Sequence, residues 1–202
     1  MTALKDKIIL TDCDGVLLDW EFSFNLWMDG KGYTLNQDAW QNYHIHDRFN
    51  IDVDHAKSLV RQFNDSAEML NLTPLQSAVK YIKKLHEEFG YVFHVITSQT
   101  DNEAAQKLRI MNLENVFGKH VFIKHTIIGC GEDKTRSLDP YMDSGCFWLE
   151  DKPKNADVGR SLGLQSLLVA HHYNSEDELV LKGTLRLDWD GIYKHISENT
   201  YK

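Results

Sequence analysis

No stretch of this sequence approaches the about 20 apolar residues that a membrane-crossing helix needs. The N-terminus turns charged at Lys5, Asp6 and Lys7 before any hydrophobic segment, so no secretory leader is predicted. Cysteine is scarce: Cys13, Cys130 and Cys146 are odd in number and lack metal-type spacing. They predict reduced thiols and a cytoplasmic location. Only 3 residues are proline, and apolar residues make up 42%, which excludes collagen, low complexity and disorder. Basic charge is also short, with 22 Lys and Arg against 30 Asp and Glu and a net charge of −8. Nucleic-acid binders draw most of their affinity from clustered Lys and Arg, so a long nucleic acid is not an expected partner. The 10 histidines include no i, i+4 ligand pair with a matching carboxylate, which argues against zinc. A homodimer is among the assemblies left open.

What is present reads as alternating strands and helices. Lys7–Asp12, Tyr91–Ile96, Val121–Ile123, Cys146–Leu149 and Gln165–Ala170 are short buried runs of strand type. Helices are predicted from Trp20 to Gly30, from a cap at Asp54, from Thr73-Pro74 to Gly90, over 101–115, and from Pro153 towards Gly163. Such alternation predicts an α/β fold: a Rossmann-like parallel sheet covered on both faces. Residues 17–73 are helical and interrupt the pattern after the first strand. They are read as a small inserted cap, with 1–16 and 74–202 forming the core. Residues 171–202 carry no motif and are expected on the sheet edge, through Leu185, Leu187, Trp189, Ile192 and Tyr193.

In open α/β sheets, ligands sit outside the carboxyl ends of the strands. Standing there are Asp12 and Asp14, then Thr97 and Ser98, then Glu150 and Asp151, with Lys134 in a polar loop. Carboxylates, a hydroxyl pair and a lysine are what magnesium-assisted phosphoryl transfer requires. Mg²⁺ takes oxygen ligands, and a carboxylate can attack phosphorus while Thr, Lys and backbone N–H groups stabilise the equatorial oxygens.

The stretch Asp12-Cys13-Asp14-Gly15-Val16-Leu17-Leu18-Asp19 resembles the first signature of the haloacid dehalogenase-like hydrolases. Thr97, Lys134 and Glu150-Asp151 follow in that superfamily's order, and the likeness covers roughly residues 5 to 170. The resemblance implies that Asp12 is the nucleophile and Asp14 the general acid, then base. It implies that Asp12, the Asp14 backbone carbonyl and Asp151 hold Mg²⁺ with help from Glu150. Thr97, Lys134 and Ser98 would bind the phosphoryl oxygens.

Substrate choice is read from the inserted segment. Residues 16–73 contain 9 of the 22 aromatics, and 9 acidic against 4 basic residues. Such a surface suits a flat ring, because each base–aromatic stack contributes about 1–3 kcal/mol. Within the superfamily the chain resembles the 5′(3′)-deoxyribonucleotidases, through Asp14–Trp20, Leu72–Val79, Thr97-Ser98 and Asp133–Thr135. This implies a nucleoside monophosphate as the small phosphorylated substrate, with Trp20 and Trp40 near the base. Ala39 departs from that family's second aromatic, and Glu150-Asp151-Lys152 departs from its Asp-Asp-Arg. The latter is closer to sugar-phosphate phosphatases and mutases, so sugar phosphates and phosphoglycolate stand as alternatives. A non-catalytic phospho-acceptor of receiver type, or a binding protein without turnover, is the rival from another class.

Several residues admit a plainer reading. Trp20 shares a helical stripe with Phe24 and Trp27, so core packing competes with substrate contact. Phe63 reads as core, and Trp40 as exposed. Thr97-Ser98 could cap a helix, and Lys124 is the fallback for Lys134. Asp157 reads as solvated or capping its helix. Lys107 or Arg109 could supply a second phosphate-binding cation, and His44 and His46 could touch substrate.

Overall fold

In the computed structural model, described for residues 7–37, 39, 44–175 and 184–200, Ile8–Thr11 forms β1 near the middle of a six-stranded sheet. The other strands are β2 (Val92–Gln99), β3 (Phe122–Gly129), β4 (Phe147–Glu150), β5 (Gln165–Val169) and β6 (Arg186–Leu187). Their order is β3-β2-β1-β4-β5-β6, and every neighbouring pair is parallel. The central strands β1, β2 and β4 are almost wholly buried, as expected where both faces of a parallel sheet are covered, while the edge strand β3 leaves Ile123 and Lys124 exposed. Side chains alternate between those faces. Ile9, Phe93, Val95, Phe147 and Leu149 join the larger core, while Leu10, Ile96 and Trp148 join a smaller one.

The helices are α1 (Trp20–Gly30), α2 (Ile45–Phe49), α3 (Val53–Asn64), α4 (Ala78–Phe89), α5 (Glu103–Phe117), α6 (Thr135–Leu138), α7 (Pro153–Ser161) and α8 (Trp189–Asn199). Buried Phe24 and Met28 of α1, with Leu59 and Phe63 of α3, belong to the same cluster as the larger sheet face. No helix among the described residues is long and apolar enough to cross a membrane.

Several boundaries differ from the sequence reading. The α3 cap is Asp52, whose side chain accepts from the Asp54 and His55 N–H groups. Thr73-Pro74 does not open a helix: Pro74 bridges to Leu18, and α4 starts only after Ser77, at φ 65°. β2 runs on through Thr97 and Ser98, which are therefore strand residues and do not cap α5; Asn102 does. At the C-terminal edge, β6 pairs with β5, and α8 buries Trp189 and Ile192 as expected, although Leu185 is exposed.

Candidate active site

The register of the sheet creates the site. Thr11 of β1 pairs with Leu149 of β4, so the next residues, Asp12 and Glu150, stand side by side at the carboxyl end of the sheet, Glu150 as the last residue of β4. The Asp12 N–H still donates to the Leu149 carbonyl at 2.9 Å, which fixes the start of the loop. The chain then folds back, with the Leu17 and Leu18 N–H groups donating to the Cys13 carbonyl at 2.8 and 3.0 Å. Gly15 makes this turn at φ +73°, and a Cβ there would lie 2.7 Å from Asp151 Oδ2. Only glycine meets both demands.

Lys134, just before α6, is the electrostatic centre. Its Nζ donates to Asp12 Oδ2 at 2.7 Å and to Glu150 Oε2 at 2.8 Å. Asp12 Oδ1 accepts from the Cys13 N–H at 2.7 Å. Glu150 is fully buried and fully engaged. Its Oε1 accepts from the N–H groups of Asp151 and Lys152, and its Oε2 from Lys134 and Asn155. Asp151 Oδ2 accepts from the Tyr173 hydroxyl, whereas the buried Oδ1 has no partner among the described residues. One oxygen from each of Asp12, Glu150 and Asp151 lies within 4.8 Å of the others. A bare oxygen in such a group is a fitting ligand for a hard divalent cation.

Burial pushes the Asp12 carboxyl above the usual carboxylate range, the Glu150 charge adds to this, and Lys134 opposes it. Glu150 and Asp151 are raised as well, chiefly by burial. Burial works against the charged form of Lys134, but Asp12 and Glu150 outweigh it and hold the ammonium above its ordinary value. Asp14 is half-buried and raised by burial, with Arg109 opposing.

A cavity of about 600 Å³ opens beyond the ends of β1, β2 and β4, with Glu150 buried behind its wall. Asp12, Asp14, Thr97, Ser98, Lys134 and Asp151 all reach it. Thr97 is buried, and its hydroxyl has no partner among the described residues. Trp20 stands at the edge of both the cavity and the core. It lines the cavity, yet it also stacks on Phe24 at 4.7 Å and donates from Nε1 to Asn64 at 2.8 Å. Trp40 lies outside the described residues. Phe63 is core, with no exposure, and His44 is on the cavity wall.

The cation assignments change. Arg109 is buried and donates to the Asp14 carboxylate, with Cys13 and Met69 sulfur atoms beside it, and does not line the cavity. So placed, the guanidinium braces Asp14 and stands behind the cavity wall. Lys107 is exposed beside Glu103, Lys124 is exposed against the Tyr141 hydroxyl, and Asp157 is a helix residue paired with Arg160. The segment after β5, which carries no motif, nevertheless supplies His171, His172 and Tyr173 to the cavity. Arg48, buried and bonded to Glu21 at 2.7 Å, also lines it. Sequence gave no signal for either: both reach the site through contacts distant along the chain.

Comparison with protein-family models finds no match, and comparison with curated proteins finds none either. Solved structures do match. A HAD family hydrolase from Deinococcus radiodurans R1, with bound phosphate and sodium, is 17% identical at a TM-score of 0.62, over 96% of both chains. A haloacid dehalogenase-like hydrolase from Streptococcus pneumoniae is 14% identical at 0.63, over 95% of this chain and 98% of its own. A predicted phosphoglycolate phosphatase from Haemophilus somnus 129PT is 16% identical at 0.61, over 94% of this chain and 97% of its own. With its six parallel strands and its acidic residues at the ends of β1 and β4, the chain therefore shares the fold of the haloacid dehalogenase-like hydrolases.

Proposed function

We propose that the protein is a divalent-metal-dependent phosphomonoesterase that works through an aspartyl-phosphate on Asp12 and favours nucleoside monophosphates. The observation that carries this reading is Lys134 bound between Asp12 and Glu150, on a cavity that also holds an Asp151 oxygen and a Thr97 hydroxyl without partners among the described residues. Thr97 and Lys134 hold the phosphoryl oxygens, with Ser98 adding a contact. An Asp12 carboxylate oxygen attacks phosphorus, the bond from phosphorus to the ester oxygen breaks, and Asp14 gives that oxygen a proton. Asp14 then takes a proton from water as the water attacks phosphorus, releasing phosphate and restoring Asp12. Glu150 fixes the Lys134 ammonium against Asp12. Asp12 and Asp151, with the Asp14 carbonyl, would hold the cation, Mg²⁺ being the best match to all-oxygen ligands. When bound, it neutralises charge on the transferring phosphoryl group.

Residues 17–73 act in this reading as a cap over the leaving group, and the Trp20 ring provides the aromatic wall for a base. A structure of the same fold, the hydrolase from D. radiodurans, was solved with bound phosphate. The test is phosphate release, with Mg²⁺ and with EDTA, across nucleotides, deoxynucleotides, sugar phosphates and phosphoglycolate. Metal-dependent turnover strongest on nucleoside monophosphates is expected. Turnover strongest on a sugar phosphate would keep Asp12 and Asp14 in their roles and remove the base from the Trp20 wall. A long-lived phospho-Asp12 without turnover would point to a phospho-acceptor.

A further inference from the structure

The turn His171–Asn174, directly after β5, converges on the two loops that build the site. The Tyr173 hydroxyl donates to Asp151 Oδ2 at 2.6 Å. The Asn174 side-chain amide donates to the Asp151 backbone carbonyl at 2.8 Å and to the Val169 carbonyl at 2.9 Å. His171 Nε2 lies 2.6 Å from the Gly15 carbonyl, and its ring stacks on Tyr173 at 4.8 Å and 6°. The turn is itself held in place. Asn174 Oδ1 accepts from the His171 N–H at 2.9 Å and from Arg186 Nε at 2.8 Å. Asn174 is 1% exposed, so its own hydrogen bonds are shielded from water, while His171 and Tyr173 are half-buried beside the cavity.

A carboxylate has two equivalent oxygens and a soft terminal torsion, so its orientation must come from its neighbours. Here the hydroxyl takes Oδ2, and Oδ1 is left as the buried oxygen without a partner among the described residues. We infer that Tyr173 is a positioning residue that fixes the Asp151 carboxylate so that Oδ1 serves as the cation ligand, with Asn174 anchoring the same residue's backbone. The inference rests on the metal-dependent reading of the site. Groups that orient a metal ligand commonly contribute about 10–100-fold in metal affinity.

The test compares the full-length protein with its Tyr173→Phe variant, which keeps the ring, its volume and the stack on His171. Mn²⁺ serves as the probe, with binding followed by calorimetry and by water-proton relaxation in the absence of substrate. The expected result is an about 10–100-fold weaker Mn²⁺ dissociation constant in the variant. The metal-free melting temperature should change little, and the substrate KM at saturating metal should move less than the metal constant. Equal Mn²⁺ affinity in both proteins overturns the positioning role alone. Absence of Mn²⁺ binding by the unmodified protein overturns the metal-dependent reading, and this inference with it. A variant whose metal-free melting temperature collapses would make the hydroxyl a structural tie and overturn the inference as stated.

Discussion

Lys134 stands within 2.8 Å of two buried carboxylates, an arrangement that leaves its surroundings short of positive charge. Removing one carboxylate while keeping its shape is therefore mild for the fold. Asp12→Asn deletes the attacking oxygen, but Lys134 keeps Glu150 as its partner. Phosphate release should fall at least about 10⁴-fold, the scale of losing a nucleophile, with a melting temperature close to the parent's. Retained turnover in a folded Asp12→Asn protein would remove Asp12 from the role of nucleophile. Asp12, Thr97, Lys134 and Asp151 were legible because each stands at a strand end or in a loop that a hydrophobic run announces. Arg109 was not legible in its true place. Its partner, Asp14, is 95 residues away, and a helical arginine looks the same in sequence whether it faces solvent or a buried carboxylate.

The elements around the site are held at short range, and α7 against β4 shows how. Gly159 of α7 faces Trp148 of β4, where an added Cβ would come within 3.0 Å of the indole and of Ser166 Oγ. The same indole donates from Nε1 to the Asn155 carbonyl at 3.1 Å, so the ring cannot retreat without losing that bond. Helix propensity alone says that Gly→Ala stabilises by about 1 kcal/mol. Overpacking of a tight contact costs about 1–3 kcal/mol, and it should win here. Gly159→Ala is expected to lower the urea midpoint, and a raised midpoint would show that α7 can lift off the sheet cheaply. The first five strands were legible from the apolar runs, but their lengths were not, and the two-residue β6, Arg186–Leu187, carries too short a run to be read. Polar Ser98 and Gln99 hide the end of β2, and Lys124 and His125 break the apolar run of β3 before Thr126–Gly129 carry the ladder on. The start of α4 was misplaced for a related reason. Pro74 satisfies the usual N1 preference, yet the tertiary bridge to Leu18 claims that segment first.

For the whole molecule, the cost of the site is that Asp12, Asp14, Glu150 and Asp151 crowd together, and burial raises the pKa of all four. A carboxyl whose pKa is raised on folding binds its proton more tightly in the native state than in the unfolded one. Its contribution to stability is thus complete below the unfolded value of about 4 and is lost as pH rises through the raised folded value. Lys134, also raised, keeps its contribution through neutrality and loses it only above the ordinary lysine range. A divalent cation competes with those protons, because it binds the ionised oxygens. Its stabilisation, about 2.7 kcal/mol at 100-fold excess over its dissociation constant, should therefore grow with pH. Asp52, Asp133 and Asp190 are shifted the other way, but they are not among the clustered carboxylates, and their contribution cancels when the same pH is compared with and without metal. Mg²⁺ is thus expected to raise the melting temperature by several degrees at pH 7.5 and by less at pH 5.5, and EDTA should reverse both gains. A gain that is equal at the two pH values, or larger at the acid one, would mean that the cation does not meet these carboxylates in their ionised form.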